Sequence, residues 1–282
     1  MMGVGVDLKG KIALVSGANS GIGLATARGL AAQGAHVFLG CRSLHKAEEA
    51  RESILQNLPR ASVDVIAMDL ANIMNIKSAA EVLKRRFAQL DILINNAGVM
   101  SVTRQETRDG FEMTFGVNHL GTFTLTQALL PLIQAAPAGR VVTLSSALHY
   151  RGQMRWDDLE FKSRPYKGWE AYNQSKLANV LMTKALARRL QGSQASAFAL
   201  HPGVVATQLG RDYPDWLMKM AKIFMMTPEK GARCSLFVAT EPSLHMLNGA
   251  YFEASREKKP AAEALSEENQ ERLWALSEEL TA

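Results

Sequence analysis

The feature that most restricts the fold of this chain is an alternation between short apolar, β-branched runs and longer stretches of helical pattern. Ile12–Ser16, His36–Gly40, Val63–Ala67, Ile92–Asn95, Val141–Leu144 and Ala197–Leu200 are expected as strands. Ile22–Gln33, Leu44–Leu58, Ile76–Phe87, Gly110–Ala136 and Tyr172–Leu190 carry the helical pattern between them. Strands alternating with helices build right-handed βαβ units. The runs are apolar nearly throughout, as strands covered on both faces must be. The expected class is α/β, a doubly wound parallel sheet.

Composition excludes several functions. Hydrophobic residues make up 47% and charged residues 21%, the balance of a folded chain and not of a disordered one. The net charge of +5 is scattered. The densest clusters are Lys84-Arg85-Arg86 and Arg256-Glu257-Lys258-Lys259, and no basic stripe forms, so a small anionic ligand is expected and nucleic acid is not. Cys41 and Cys234 offer neither a disulfide framework nor metal-ligand spacing, and the histidines form no HxxxH pair; no metal is expected. Met1 to Lys11 has no basic n-region or apolar h-region, and no uncharged apolar run reaches membrane-spanning length. No membrane span and a cytoplasmic location are therefore expected.

The first strand runs into Ser16-Gly17-Ala18-Asn19-Ser20-Gly21-Ile22-Gly23 and then into a helix. Gly17 permits a tight turn, Gly21 lets backbone approach a pyrophosphate, and Gly23 lets helix and strand pack closely. The helix aims its positive end at the phosphates. A strand before and a helix after the glycines separate this loop from an ordinary turn. An NAD site normally carries an acid about 20 residues further on, to hold the ribose 2′-hydroxyl. Arg42 stands there instead, with Lys46 one helical turn on and no acid between His36 and Lys46. A guanidinium in that place suits a 2′-phosphate, so NADP(H) is the expected cofactor. A solvated arginine at a helix start is the plainer alternative.

With these residues the chain resembles the short-chain dehydrogenase/reductase family, in the GxxxGxG form of the loop. The resemblance extends over almost the whole chain: Asp69, Asn95-Asn96-Ala97-Gly98, Asn118 in Val-Asn-His-Leu-Gly, Ser145-Ser146, Tyr172-Asn-Gln-Ser-Lys176, and His201-Pro202-Gly203 with Thr207. Within the family it is similar to the retinol dehydrogenase branch, through Gly-Cys-Arg-Ser after the second strand, Asn-His-Leu-Gly, the long interval from Ser146 to Tyr172, and Leu247-Asn-Gly-Ala-Tyr-Phe252. It implies a single Rossmann-type domain over 1–282, with a nucleotide-binding half near 8–145, a catalytic and substrate half near 146–282, and a small substrate lid. It also implies cofactor contacts from Asn19, Ser20, Gly21, Ile22, Asp69 by the adenine, Leu70, Asn96, Ala97, Gly98, Lys176, Pro202, Gly203, Val205 and Thr207.

The chemistry of Tyr172 and Lys176 can be read from the residues as well. Carbonyl reduction needs a hydride on carbon and a proton on oxygen. A free phenol, with pKa of about 10, holds its proton too tightly to exchange it readily near neutrality. Lys176 is four residues on and shares a helical face with Tyr172, so its charge is expected to lower that pKa. The resemblance puts Ser146, in preference to Ser145, against the substrate oxygen. Asn118, a poor helix former inside a long helix, is either a locally satisfied irregularity or, as the resemblance implies, support for a water relay to Lys176.

Two segments break the rhythm. Ala147–Glu170 is a polar-aromatic excursion, and Gln208–Met226 is rich in methionine and aromatics. Leu209, Tyr213 and Trp216 in the second are candidate substrate contacts, in an apolar pocket or lid for a hydrophobic aldehyde, ketone or alcohol such as a retinal-like molecule. A core or dimer-facing helix explains that stretch equally well. The rival functions are a catalytically silent nucleotide-sensing regulator and a membrane-surface or scaffold role. A monomer and a homodimer both remain open: Gly110–Ala136 and Tyr172–Leu190 could form a four-helix contact between copies, and the insert before Tyr172 could block it.

Overall fold

In the computed structural model, which describes residues 6–203 and 226–282, the chain builds one eight-stranded sheet in the order β3-β2-β1-β4-β5-β6-β7-β8. The strands are β1 (Ile12–Ser16), β2 (His36–Cys41), β3 (Val63–Ala67), β4 (Ile92–Asn95), β5 (Arg140–Leu144), β6 (Ser196–His201), β7 (Tyr251–Glu253) and β8 (Arg256–Lys258). Pairing is parallel from β3 through β7, and only β8 returns antiparallel. The order reverses between β1 and β4, where Ala13 pairs with Ile92 and Val15 with Ile94. A doubly wound sheet opens a crevice at that reversal, beyond the carboxyl ends of its strands.

The helices are α1 (Gly21–Ala32), α2 (Leu44–Asn57), α3 (Ile73–Arg86), α4 (Met113–Phe115), α5 (Thr122–Ala135), α6 (Gly168–Arg189), α7 (Pro228–Thr240) and α8 (Glu267–Thr281). On one face of the sheet, Val15, Leu39, Ile94 and Phe198 pack with Ala27, Leu30 and Val238 from α1 and α7. On the other, Leu14, Phe38, Leu93 and Val141 meet Ile76, Leu83, Leu129 and Met182 from α3, α5 and α6. Each fully buried Val, Leu, Ile, Phe or Met side chain contributes roughly 1.5–3 kcal/mol, and both faces are covered as the apolar strands require.

The six expected strands form within a residue of their anticipated bounds, and several other features differ. The span Gly110–Ala136 is not one regular helix: a π-helical turn over Gly116–Gly121 separates α4 from α5. Helix α3 begins three residues early because the Asn72 side chain accepts the Asn75 N–H at 3.1 Å and caps it there. Helix α6 starts at Gly168, where a Cβ would collide with the Ser101 carbonyl. The elements β7, β8, α7 and α8 were not anticipated; the two strands are only three residues long, too short for a period to register.

The C-terminal α8 lies against α6 and α5. Arg188 and Arg189 of α6 both bond Glu271, and Trp274 packs edge-on to Phe123 at 4.9 Å. Glu271 is held down to about 2 by those two guanidiniums. The excursion covers α6 from its other end, through a short 3-10 turn over Ala147–Arg151 and a hydrogen bond from Gln174 Nε2 to the Leu159 carbonyl at 2.8 Å.

Candidate active site

The carboxyl ends of β1, β4, β5 and β6 bring the expected residues to one edge of the sheet. At β1 the glycine loop turns through positive φ at Gly17 (65°) and Gly21 (56°), values that side chains disfavour. A Cβ on Gly23 would press into the Gly17 carbonyl and sit 2.5 Å from Asn96 Nδ2. Helix α1 can meet the strand this closely only at glycine. Ser20 caps α1 with no side-chain bond, and no acid stands in its first turn. By contrast α2, α3, α7 and α8 are capped by Ser43, Asn72, Thr227 and Ser266. The first N–H groups of α1 are thus left for an external acceptor, the arrangement that binds phosphate. Asn19 and Ser20 are half-buried around this opening, and Ile22 turns inward to the core.

Two residues that sequence reasoning missed hold the loop. Ser16 Oγ accepts the N–H groups of Asn96 and Ala97 at 3.0 and 3.1 Å and donates to the Ile94 carbonyl at 3.3 Å, latching β1 to the end of β4. Asn96 answers with its amide on the Ser16 carbonyl at 2.9 Å. From the β2 side, the Cys41 thiol faces the backbone of Ala18 and Asn19, and burial pushes it up to about 11. It is a neutral prop. Gly40 pairs with Ser16, which brings the next residue under the loop.

Arg42 and Lys46 are exposed just beyond β2 and make no ion pair among the described residues. Asp69, after β3, holds its own turn: Oδ1 accepts the Ala71 N–H at 3.1 Å. Leu70 is buried, and its carbonyl lies so close to Gly121 that no Cβ fits there. Asn95 is buried as a staple, donating to Thr126 and Thr143 hydroxyls at 2.9 and 3.3 Å.

The second half of the edge is built from buried side chains. Asn118 sits in the π turn, where Oδ1 accepts the Val99 N–H at 2.7 Å and Nδ2 donates to the Val99 carbonyl at 2.9 Å and to Ser175 Oγ at 3.0 Å. The Asn118 amide is satisfied by residues distant in sequence, and the turn brings Asn118 and Lys176 to the two sides of Gly98: a Cβ there would lie 3.3 Å from Asn118 Oδ1 and 3.4 Å from Lys176 Nζ. Ser175 was quoted in the motif without a task; it carries the bond from Asn118 onward to the Tyr172 carbonyl at 2.8 Å.

The adjacent serines separate cleanly. Ser145 Oγ donates to the Lys176 carbonyl at 2.7 Å and is committed to holding α6. Ser146 Oγ accepts the Leu148 N–H at 3.2 Å, and its hydroxyl favours the ionised form of the neighbouring Tyr172 phenol. Tyr172 and Lys176 are 8% and 4% exposed, and the ammonium stands 5.5 Å from the centre of the phenol ring. Lys176 Nζ donates to the Leu144 carbonyl at 3.0 Å, its one hydrogen bond among the described residues, so two of its protons are free for a ligand.

Here the ionisation differs from the expectation that Lys176 lowers the tyrosine pKa. Burial pushes Tyr172 up to about 12, opposed in part by the Ser146 hydroxyl. Burial also pulls Lys176 down to about 8. Desolvation disfavours both charged forms and sets the direction of both shifts. At neutral pH the pair is a protonated phenol beside an ammonium. A proton leaving that phenol leaves a tyrosinate whose charge the ammonium then offsets, which is the state a proton donor requires.

Pro202 and Gly203 follow β6, with Gly203 at φ 92°. Val205, Thr207, Leu209, Tyr213 and Trp216, with the expected lid, lie outside the described residues. Among the described residues no group of histidine, cysteine and acids could hold a metal, and no helix is long and apolar enough to cross a membrane.

The family model for short chain dehydrogenase matches residues 11–217. Human retinol dehydrogenase 13 is 42% identical over 97% of this chain and 85% of its own length. Among solved structures, an uncharacterised protein from Mycobacterium paratuberculosis matches with a TM-score of 0.81 and 35% identity, over 99% of this chain and 96% of that one. A short chain dehydrogenase from Escherichia coli CFT073, complexed with NADPH, matches with a TM-score of 0.70 and 26% identity, over 89% of this chain and 99% of that one. The matched span includes the glycine loop, Asn118, Ser146, Tyr172 and Lys176, and so this chain belongs to the short-chain dehydrogenase/reductase family, in its retinol dehydrogenase-like branch, and is an oxidoreductase.

Proposed function

We propose that the protein is an NADP(H)-dependent reductase of a hydrophobic aldehyde or ketone, with a retinal-like molecule as the model substrate. The observation that carries the reading is the meeting of Ser146, Tyr172 and Lys176 at the edge where α1 leaves its N-terminus uncapped. A nicotinamide dinucleotide, when bound, supplies the hydride. Its phosphates suit the N–H groups of α1, and its ribose hydroxyls suit the free donors of Lys176. Arg42 and Lys46 favour a 2′-phosphate, and the NADPH complex of the E. coli relative agrees with that choice.

Ser146 donates to the carbonyl oxygen and stabilises the charge that develops on it. Tyr172 delivers its phenolic proton to the same oxygen. Lys176 stabilises the tyrosinate left behind, and Asn118 supports the water through which the proton is replaced. A silent nucleotide sensor would have no need of this complete set.

Further parts of the reading are a single domain, a monomer and a cytoplasmic location. One sheet runs through both halves of the chain. Helix α6 is already covered by α8 and by the excursion before Tyr172. Cys41 and Cys234 are free thiols. Sedimentation and cell fractionation test the last two. For the activity itself, apolar aldehydes and ketones are offered with NADPH or NADH and followed by nicotinamide absorbance. Turnover with NADPH well above that with NADH supports the reading; equal turnover removes the case for the 2′-phosphate.

A further inference from the structure

We propose that His149 is a positioning residue for Ser146, held as the neutral Nδ1-protonated imidazole by the backbone of the C-terminal segment. The proposal rests on the reductase reading above. His149 is fully buried, three residues after Ser146 in the turn that follows β5. Its Nδ1 lies 2.7 Å from the Ser146 carbonyl, and its Nε2 lies 3.1 Å from the Ala261 N.

Those two partners fix the tautomer. A backbone N–H can only donate, so Nε2 must be the unprotonated acceptor. A carbonyl can only accept, so Nδ1 must carry the proton. Burial holds the ring below the ordinary histidine pKa, consistent with the neutral form. The ring is clamped between Tyr150 at 4.0 Å and Tyr251 at 4.6 Å, and Tyr150 in turn donates to the Lys259 carbonyl at 2.9 Å. The ionisable groups acting on it are Glu253 on β7 and His201 on β6.

The consequence concerns Ser146. Its carbonyl accepts both the ring Nδ1–H and the His149 backbone N–H at 3.0 Å, while its hydroxyl accepts the Leu148 N–H and meets Tyr172. The peptide that aims Ser146 Oγ is thereby tied to residues 259–261, more than a hundred positions away. Nothing in the short turn alone supplies that tie. His149 reaches the reacting group through Ser146 and touches no substrate.

Four measurements test this. Long-range proton–nitrogen spectra of the wild type should report the Nδ1-protonated ring alone from about pH 8 to about pH 5. The variant His149→Phe keeps a ring in the clamp and should lose about tenfold in kcat, with the KM for NADPH unchanged. His149→Asn keeps a donor for the Ser146 carbonyl and should recover much of that loss. Ala261→Pro removes only the N–H, since Ala261 already has φ −51°; it should admit the second tautomer and lower kcat by less than His149→Phe.

A wild-type ring protonated on Nε2 overturns the proposal. So does wild-type kcat in His149→Phe, or a loss that Asn fails to rescue while the KM for NADPH rises in step. If the wild type binds NADPH yet reduces no carbonyl, the reductase reading falls and this one falls with it. Full wild-type turnover with an indifferent His149 removes this proposal alone.

Discussion

The two ends of the site are made by opposite means. At the β1–α1 end the working surface is backbone, exposed by leaving things out: no Cβ at Gly17, Gly21 or Gly23, and no side-chain cap on α1. At the β5–α6 end it is side chains, packed until Tyr172, Lys176 and Asn118 are almost wholly buried. The first end offers backbone N–H donors suited to phosphate and needs no ionisation of its own. The second end depends on burial to set protonation states, and on several hydrogen bonds to keep its groups in place. A binding surface tolerates solvent; a proton donor and its counter-charge gain from its exclusion.

The contrast predicts different failures. Lys176→Met removes the counter-charge and should lower kcat by about a hundredfold to ten-thousandfold, with NADPH binding reduced less than catalysis. Equal losses in both would make Lys176 a cofactor ligand only. At the other end, Arg42→Ala should raise the KM for NADPH by about tenfold to a hundredfold, the value of a charge-assisted contact. It should leave the KM for NADH and kcat alone. Gly23→Ala places a methyl group 2.5 Å from Asn96 Nδ2. It should cost roughly 1–3 kcal/mol of stability by overpacking, read as a drop in denaturant midpoint, with the KM for dinucleotide rising more than that for carbonyl.

A further effect of the buried end is on stability against pH. Lys176 titrates at about 8 in the folded protein and at 10.5 when free, so between those values the unfolded chain binds more protons and stability rises with pH. Tyr172 titrates at about 12 when folded against 10.0 when free, so above pH 10 the folded chain binds more protons and stability falls. The denaturant midpoint should therefore climb from about pH 8 to about pH 10 and then decline. Lys176→Met should abolish the climb and Tyr172→Phe should soften the decline.

How much of this was legible in the sequence follows from the same contrast. The glycine loop announces itself because glycine, strand and helix occur in a fixed local order, and the parallel strands because they are apolar on both faces. The π turn at Asn118 was less visible: its amide is satisfied by Val99, nineteen residues away, and a helical period cannot register that. His149 and Cys41 carry no local signal because the groups they face, Ala261 and the Ala18–Asn19 backbone, lie on other elements. The acidity of Tyr172 ran against the sequence argument for a simple reason. Spacing reveals that a lysine is near, but not how far water has been removed from both groups.

The central claim is that a buried, protonated Tyr172 gives its proton to the substrate oxygen. Its most direct test is NADPH consumption with an apolar aldehyde, compared between the wild type and Tyr172→Phe at saturating concentrations of both. The account predicts that the phenyl variant binds NADPH as the wild type does and loses at least about a hundredfold in kcat. Retention of wild-type kcat without that hydroxyl would contradict it.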